Sequence, residues 1–210
     1  MTRIIAGAAG SLVLRVPDRG TRPTSDRVRE SLFGGLDASG VFDGARVLDL
    51  FAGSGALGLE AVSRGAASVD LVEKSASAAA VTDRNARTVA RAVGSSAVRV
   101  HRSSADAFLQ SASGPFDLVF IDPPYDLDDE ALAITLALLA DVTAPGAVVI
   151  VERASRSPEP RVPAQLEPLR SKRYGDTALW WYERADNGGQ PPAPSQSREG
   201  SHPPAERSGR

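Results

Sequence analysis

The residues with the clearest chemical use are Asp122-Pro123-Pro124-Tyr125, at the end of the apolar run Phe116-Asp117-Leu118-Val119-Phe120-Ile121. That run reads as a buried strand. Two successive prolines cannot continue its hydrogen-bond ladder, because neither has an N–H to donate. The Asp122 and Pro123 carbonyls are thus left at a strand's carboxyl end, where open α/β sheets bind their ligands. Two acceptors side by side, a carboxylate and a backbone carbonyl, suit an amino group attached to a base. Each takes one N–H, which orients a poorly nucleophilic nitrogen and favours its pyramidalisation toward an incoming methyl. Tyr125 offers a ring on which an extruded base can stack. The plainer alternative is a rigid exit loop with a solvated aspartate.

A second candidate lies upstream. Arg46-Val47-Leu48-Asp49-Leu50-Phe51 reads as a strand running into Ala52-Gly53-Ser54-Gly55-Ala56-Leu57-Gly58, with a helix after it. Gly53, Gly55 and Gly58 fit the dinucleotide fingerprint, whose glycines allow a tight turn and close approach to a ligand. Glu73, about 20 residues on, ends the next strand and can accept hydrogen bonds from ribose hydroxyls. Asp106 follows a third strand, Ala97 to His101, and either accepts an adenine amino group or caps a short helix.

The elements that must position these residues alternate between strand and helix. Arg3 to Ala6 and Leu12 to Val16 read as a hairpin around Gly7-Ala8-Ala9-Gly10. A helix follows Arg22-Pro23-Thr24, with Val28, Leu32 and Leu36 on one face and Thr24 or Ser25 as N-cap. Arg22, Arg27 and Arg29 can meet phosphates or a carboxylate, or simply form a polar outer face. A helix from about Ser75 to Val93 follows the Glu73 strand. Asp128, Asp129 and Glu130 open another, complementing its dipole and not holding a metal. Pro145-Gly146 turns into the strand Ala147 to Val151. Leu169 to Tyr174 and Thr177 to Glu183 form a closing hairpin, with Trp180 and Trp181 on opposite faces.

Length and composition set limits. A chain of 210 residues suggests one domain, and the absence of cysteine excludes disulfide scaffolds and thiolate catalysis. No signal-peptide layout or membrane-length apolar run is present, so the chain is expected in the cytoplasm. Neither histidine has a second ligand at zinc spacing. Net charge is -2, but six arginines stand between Met1 and Arg29, and five with Lys172 between Arg153 and Arg173. Eight acidic residues and no base lie from Asp117 to Glu152. Two basic segments flanking the Asp122 cleft would hold a polyanion over it. From Asp186 onward glycine, proline, serine and glutamine dominate, and disorder is expected.

The segment Asp49 to Ala61, Glu73, Asp122 to Tyr125, and Arg22-Pro23-Thr24 through Arg27-Val28-Arg29-Glu30 together resemble the RsmD-type bacterial 16S ribosomal RNA guanine-N2 methyltransferases. The resemblance covers about Arg3 to Arg184. It implies an α/β Rossmann-like class I methyltransferase: a mostly parallel seven-stranded sheet with an antiparallel C-terminal hairpin and a small N-terminal β-hairpin. The expected divisions are 1–20 for that extension, 21–185 for the methyltransferase domain and 186–210 for the tail. It implies S-adenosylmethionine as methyl donor and a guanine of 16S rRNA as acceptor, within the small subunit or an assembly intermediate. Asp49, Phe51, Ala52, Gly53, Ser54 and Gly55 would line the methionine end, Glu73 the ribose, and Ala105 with Asp106 the adenine. Asp122, Pro123, Pro124 and Tyr125 would form the catalytic set. Arg3, Arg15, Arg22, Thr24, Arg27 and Arg29 would serve RNA binding, since family members use the hairpin and the arginine segment against RNA and over the cofactor. Relatives often carry basic and aromatic residues where this chain has Ala8-Ala9-Gly10-Ser11, and asparagine where it has Gly34. Three rivals remain: an adenine-N6 DNA methyltransferase, a nicotinamide-dependent oxidoreductase, and a non-catalytic RNA-binding assembly factor.

Overall fold

The computed structural model describes residues 2–17, 26–94 and 97–186. The expectations for Arg22, Thr24, Ser25 and residues 187–210 of the tail lie outside the described residues. In chain order the elements are β1 (Thr2–Arg3), β2 (Val13–Leu14), α1 (Asp26–Asp37), β3 (Arg46–Asp49), α2 (Ala56–Ser63), β4 (Ser68–Val72) and α3 (Ala76–Val93). Then follow β5 (Val98–His101), α4 (Ala105–Leu109), β6 (Phe116–Ile121), α5 (Asp129–Ala140), β7 (Thr143–Ala154), β8 (Leu166–Tyr174) and β9 (Thr177–Arg184).

Seven strands form one sheet in the order β5-β4-β3-β6-β7-β9-β8. The first five run parallel, while β9 is antiparallel to both β7 and β8. From β3 the chain winds outward to β4 and β5, then crosses back to β6 on the other side. That reversal opens a crevice at the carboxyl ends of β3 and β6, where neighbouring connections diverge.

Period-two alternation loads both faces of the sheet, as expected for strands buried on two sides. Val47, Leu118 and Phe120 pack with Leu32 and Phe33 of α1, Leu59 of α2 and Val89 of α3. Leu48, Val119 and Ile121 pack with Leu109 of α4 and Leu132, Leu136 and Leu139 of α5. Trp181 joins the first layer and Trp180 borders the second, on opposite faces as the strand pattern predicts. Pro145-Gly146 does not precede β7 but lies inside it. The register with β6 shifts between Phe116 and Leu118, and Gly146 at φ 74° absorbs the irregularity.

The hairpin strands are only two residues each, shorter than the apolar runs suggest. Their partners lie on α2 instead of in a longer ladder. Glu60, fully buried, accepts the Ile5 N–H at 2.6 Å and the Ala6 N–H at 3.0 Å, and pairs with Arg64 Nε at 2.7 Å. Ser63 accepts the Ala9 N–H at 2.9 Å through its hydroxyl and the Ala8 N–H at 2.7 Å through its carbonyl. Gly7 sits so close that an added Cβ would fall 1.9 Å from the Ser63 carbonyl oxygen. Arg64 extends the tie to α1, pairing with Asp37 and lying 5.3 Å from the Phe33 ring centroid.

Removing the Glu60 carboxylate strands two amide donors and leaves the buried Arg64 with Asp37 alone. Glu60→Ala is expected to lose about 3 kcal/mol, the scale for breaking a buried pair, with faster amide exchange at Ile5 and Ala6. Urea unfolding and hydrogen exchange measure both; an unchanged midpoint would show that the hairpin is not anchored there.

Candidate functional site

The crevice at the strand ends holds a cavity of about 520 Å³, lined among others by Asp49, the loop to Ser54, Glu73, Asp106 and Asp122 to Leu127. Asp49 ends β3 and is 1% exposed. Its Oδ2 accepts the Gly58 N–H at 3.1 Å, while Oδ1 has no partner among the described residues. Burial pushes the Asp49 carboxyl up to about 7, helped by the charges of Asp122 and Glu73 and opposed by the Gly58 N–H. A buried acceptor beside a cavity, without a counter-ion, is built to meet a cationic group.

The glycine loop is held from below. Gly55 N-caps α2 at φ 79°, a left-handed conformation. Gly58 lets α2 lie on the sheet: an added Cβ would stand 2.4 Å from Leu71 Cδ2. Glu73 accepts the Gly53 N–H at 3.0 Å and the Ser75 N–H at 2.6 Å, one on each oxygen. Each oxygen keeps a further lone pair for a hydroxyl donor. Thr82 donates its hydroxyl to the Gly53 carbonyl at 2.7 Å. Asn85 reaches the Ser54 carbonyl and brackets the backbone of Arg15, all at 2.8–2.9 Å. One helix, α3, therefore fixes both the loop and the chain leaving the hairpin.

Asp106 stands in the first turn of α4, but Ser104 caps that helix by accepting the Ala107 N–H. The capping alternative for Asp106 is thus replaced: its Oδ1 accepts the Thr135 hydroxyl at 2.6 Å, and the residue lines the cavity with Ala105. On the opposite rim, Pro123 is buried whereas Tyr125 is 61% exposed. The Leu127 N–H bonds the Pro124 carbonyl at 3.0 Å, closing the loop into a turn. Asp122 and Tyr125 also border a smaller hollow of about 90 Å³ with Glu152, Arg153 and Arg156.

The structure therefore gathers Asp49, Phe51 to Ser54, Glu73, Ala105, Asp106 and Asp122 to Tyr125 around one space. Gly55 stands behind it at the α2 cap. Arg3, Arg15 and Arg27 have exposed positions near the hairpin and α1. Arg29 is a correction. It was expected on an RNA-facing surface, yet it is 1% exposed and lines the cavity. Its Nη2 donates to the Arg3 carbonyl and Asp26, both at 2.8 Å, while Nε and Nη1 are buried without partners among the described residues. The reason is helical phase: Arg29 falls on the stripe of Val28, Leu32, Phe33 and Leu36. That wheel was readable; Thr2 and Val16, also at the cavity, gave no comparable signal.

The model of the family described as conserved hypothetical protein 95 matches residues 2–183. "Ribosomal RNA small subunit methyltransferase D" of Escherichia coli strain K12 is 40% identical over 189 residues, 89% of this chain and 91% of that protein. The solved structure of Escherichia coli yhhF superposes with a TM-score of 0.75 at 40% identity, covering 88% of this chain and 98% of the other. Magnesium protoporphyrin IX methyltransferase from Synechocystis PCC 6803, solved with bound SAM, shares the fold at 16% identity, with a TM-score of 0.61 over 76% and 79% of the two chains.

A carboxyl whose folded pKa lies above its unfolded value of 3.8 weakens the fold as pH rises from about 4 through about 7. Asp49→Asn keeps the Gly58 contact and removes that burden. Without ligand, the variant is expected to melt above the wild type at pH 8, by no more than about 4 kcal/mol, with the advantage shrinking toward pH 4. Thermal melts across pH check this, and a pH-independent difference would contradict it.

Proposed function

We propose, on the premise that the chain belongs to the conserved hypothetical protein 95 family, that it methylates the N2 amino group of a guanine in 16S rRNA with S-adenosylmethionine. The observation that carries the reading is the placement of Asp122-Pro123-Pro124-Tyr125 on the rim of the cavity built by the glycine loop and Asp49. The 40% identity to an enzyme named for small-subunit rRNA supplies the substrate class. The reading puts the chain in the cytoplasm, acting on the small subunit or an assembly intermediate.

The residues present fit the cofactor. Its amino-acid end carries an ammonium and a carboxylate; the cavity presents an Asp49 oxygen and the buried Arg29 guanidinium, with Asp49 Oδ1 and Arg29 Nε and Nη1 unpartnered among the described residues. A carboxyl and a guanidinium lining one cavity match the two charges of a zwitterion. Glu73 would hold the ribose hydroxyls and Asp106 the adenine amino group, through acceptor capacity that their contacts leave over. Bound there, S-adenosylmethionine supplies a methyl group on a cationic sulfur whose departure leaves a neutral thioether.

What the chain adds is orientation and charge. Asp122 and the Pro123 carbonyl would each accept one N2–H, turning the nitrogen lone pair toward the donor. As the nitrogen gains positive charge, the Asp122 carboxylate stabilises it, and the surplus proton leaves to water. A weakly basic amine needs no strong base before attack, so Asp122 acts by hydrogen bonding more than by proton abstraction. Tyr125, exposed at the rim, would stack on the extruded base.

Asp122→Ala is expected to remove most turnover while S-adenosylhomocysteine affinity changes only a few-fold; near-normal turnover would sink the assignment. Tyr125→Ala should weaken productive base binding by about 1–3 kcal/mol, and Tyr125→Phe should be mild. Transfer of labelled methyl to small subunits lacking the modification, naked 16S RNA and double-stranded DNA tests the whole reading. N2-methylguanosine is the expected product. N6-methyladenine from DNA would overturn the substrate and keep the Asp122 chemistry.

A further inference from the structure

We infer that Glu152 is the residue by which this site distinguishes guanine from adenine, by accepting the hydrogen bond of guanine N1–H. The inference rests on the guanine-N2 reading above and names what reads the base beside its amino group.

The strand register puts Glu152 next to Asp122. Ile121 of β6 pairs with Val151 of β7, so Asp122 and Glu152 are the next residues on adjacent parallel strands. Neighbouring strands lie about 4.8 Å apart. The two carboxylate residues line one hollow of about 90 Å³ together with Pro123 and Tyr125. That hollow lies on the β7 side of Asp122, away from the wall formed by the glycine loop, Glu73 and Asp106. Its rim carries the exposed Tyr125 ring. Arg153 and Arg156 line the same hollow; Arg153 donates to the Leu127 carbonyl at 3.0 Å and to Asp129 at 2.9 Å, and so steadies the loop after Tyr125.

The purines differ at the atom beside the target amine. In guanine the N2 amino group is flanked by N1–H, a donor; in adenine the N6 amino group is flanked by N1, a bare acceptor. Asp122 and the Pro123 carbonyl serve either amino group equally and carry no discrimination. A second carboxylate one strand away does carry it. It accepts from guanine N1–H, whereas against adenine it opposes a lone pair and leaves both groups unsatisfied. Sites built to hydrogen-bond one group reject an analogue that lacks it far more strongly than apolar pockets reject a change of shape.

The test replaces the target guanine by 2-aminopurine, in whichever acceptor the wild type labels, RNA or reconstituted subunit. This base keeps the amino group at C2 but has no proton on N1 and no oxygen on C6. Wild-type kcat/KM is expected to fall by about a hundredfold or more on the analogue. In Glu152→Gln the amide can donate to a bare N1, so the guanine to 2-aminopurine ratio should collapse by at least about tenfold, with S-adenosylhomocysteine affinity unchanged. A merely structural role would lower both rates together and leave the ratio intact. The inference is overturned if the wild type uses both bases equally, or if the variant keeps the wild-type ratio. It is equally overturned if the variant binds S-adenosylhomocysteine normally yet methylates neither base. A wild type that labels no guanine at all would instead defeat the functional reading on which this rests.

Discussion

A carboxylate buried at the end of the central strand sets the terms for the rest of the molecule. Asp49 accepts the Gly58 N–H and faces the cavity's acidic rim with no counter-ion among the described residues. That contact joins β3 to α2 and requires the helix to come within reach, which only a glycine at position 58 permits. The loop between them is then supported by Glu73, Thr82 and Asn85 from β4 and α3. The fold accepts an unfavourable buried acid there because its ligand is proposed to bring the missing charge. Stability of the empty protein and affinity for the ligand are thus set against each other at one residue.

The reversal of strand order at β3 and β6 divides the labour. Strands on one side, β3, β4 and β5, end in the loop, Glu73 and the α4 turn, which suit a nucleoside-like cofactor. On the other side, Asp122 follows β6 and Glu152 lies near the end of β7, and the two suit a second, separate group. The reacting atoms are proposed to meet over the boundary, where Asp122 borders both spaces. Asp122 places a carboxylate at this boundary, in keeping with a reaction that creates positive charge on nitrogen.

Much of this was legible in the sequence. Glycine spacing, apolar runs and the paired prolines located β3, α2, β6 and the two candidate sites, since turn chemistry and periodicity are local properties. Which arginine meets solvent was legible only through the helical phase: Arg29 falls on the stripe of Leu32, Phe33 and Leu36, whereas Arg27, two residues before it, is exposed. Glu152 was visible as the last residue of an apolar strand, yet its neighbour Asp122 lies 30 positions earlier, and parallel register cannot be read from composition. The short hairpin strands misled for a related reason: the donors of Ile5, Ala6, Ala8 and Ala9 are satisfied by a helix far along the chain.

That long-range docking has a bearing on how the protein is made. Ile5 and Ala6 emerge from the ribosome 55 and 54 residues before Glu60, the group that receives them. At about 5–20 residues per second, the delay is roughly 3 to 11 s. Through that interval Ile4 and Leu14, fully buried in the finished fold, have no surface to cover them. The hairpin therefore waits upon α2, the third element after it, before the Ile5 and Ala6 donors meet their acceptor.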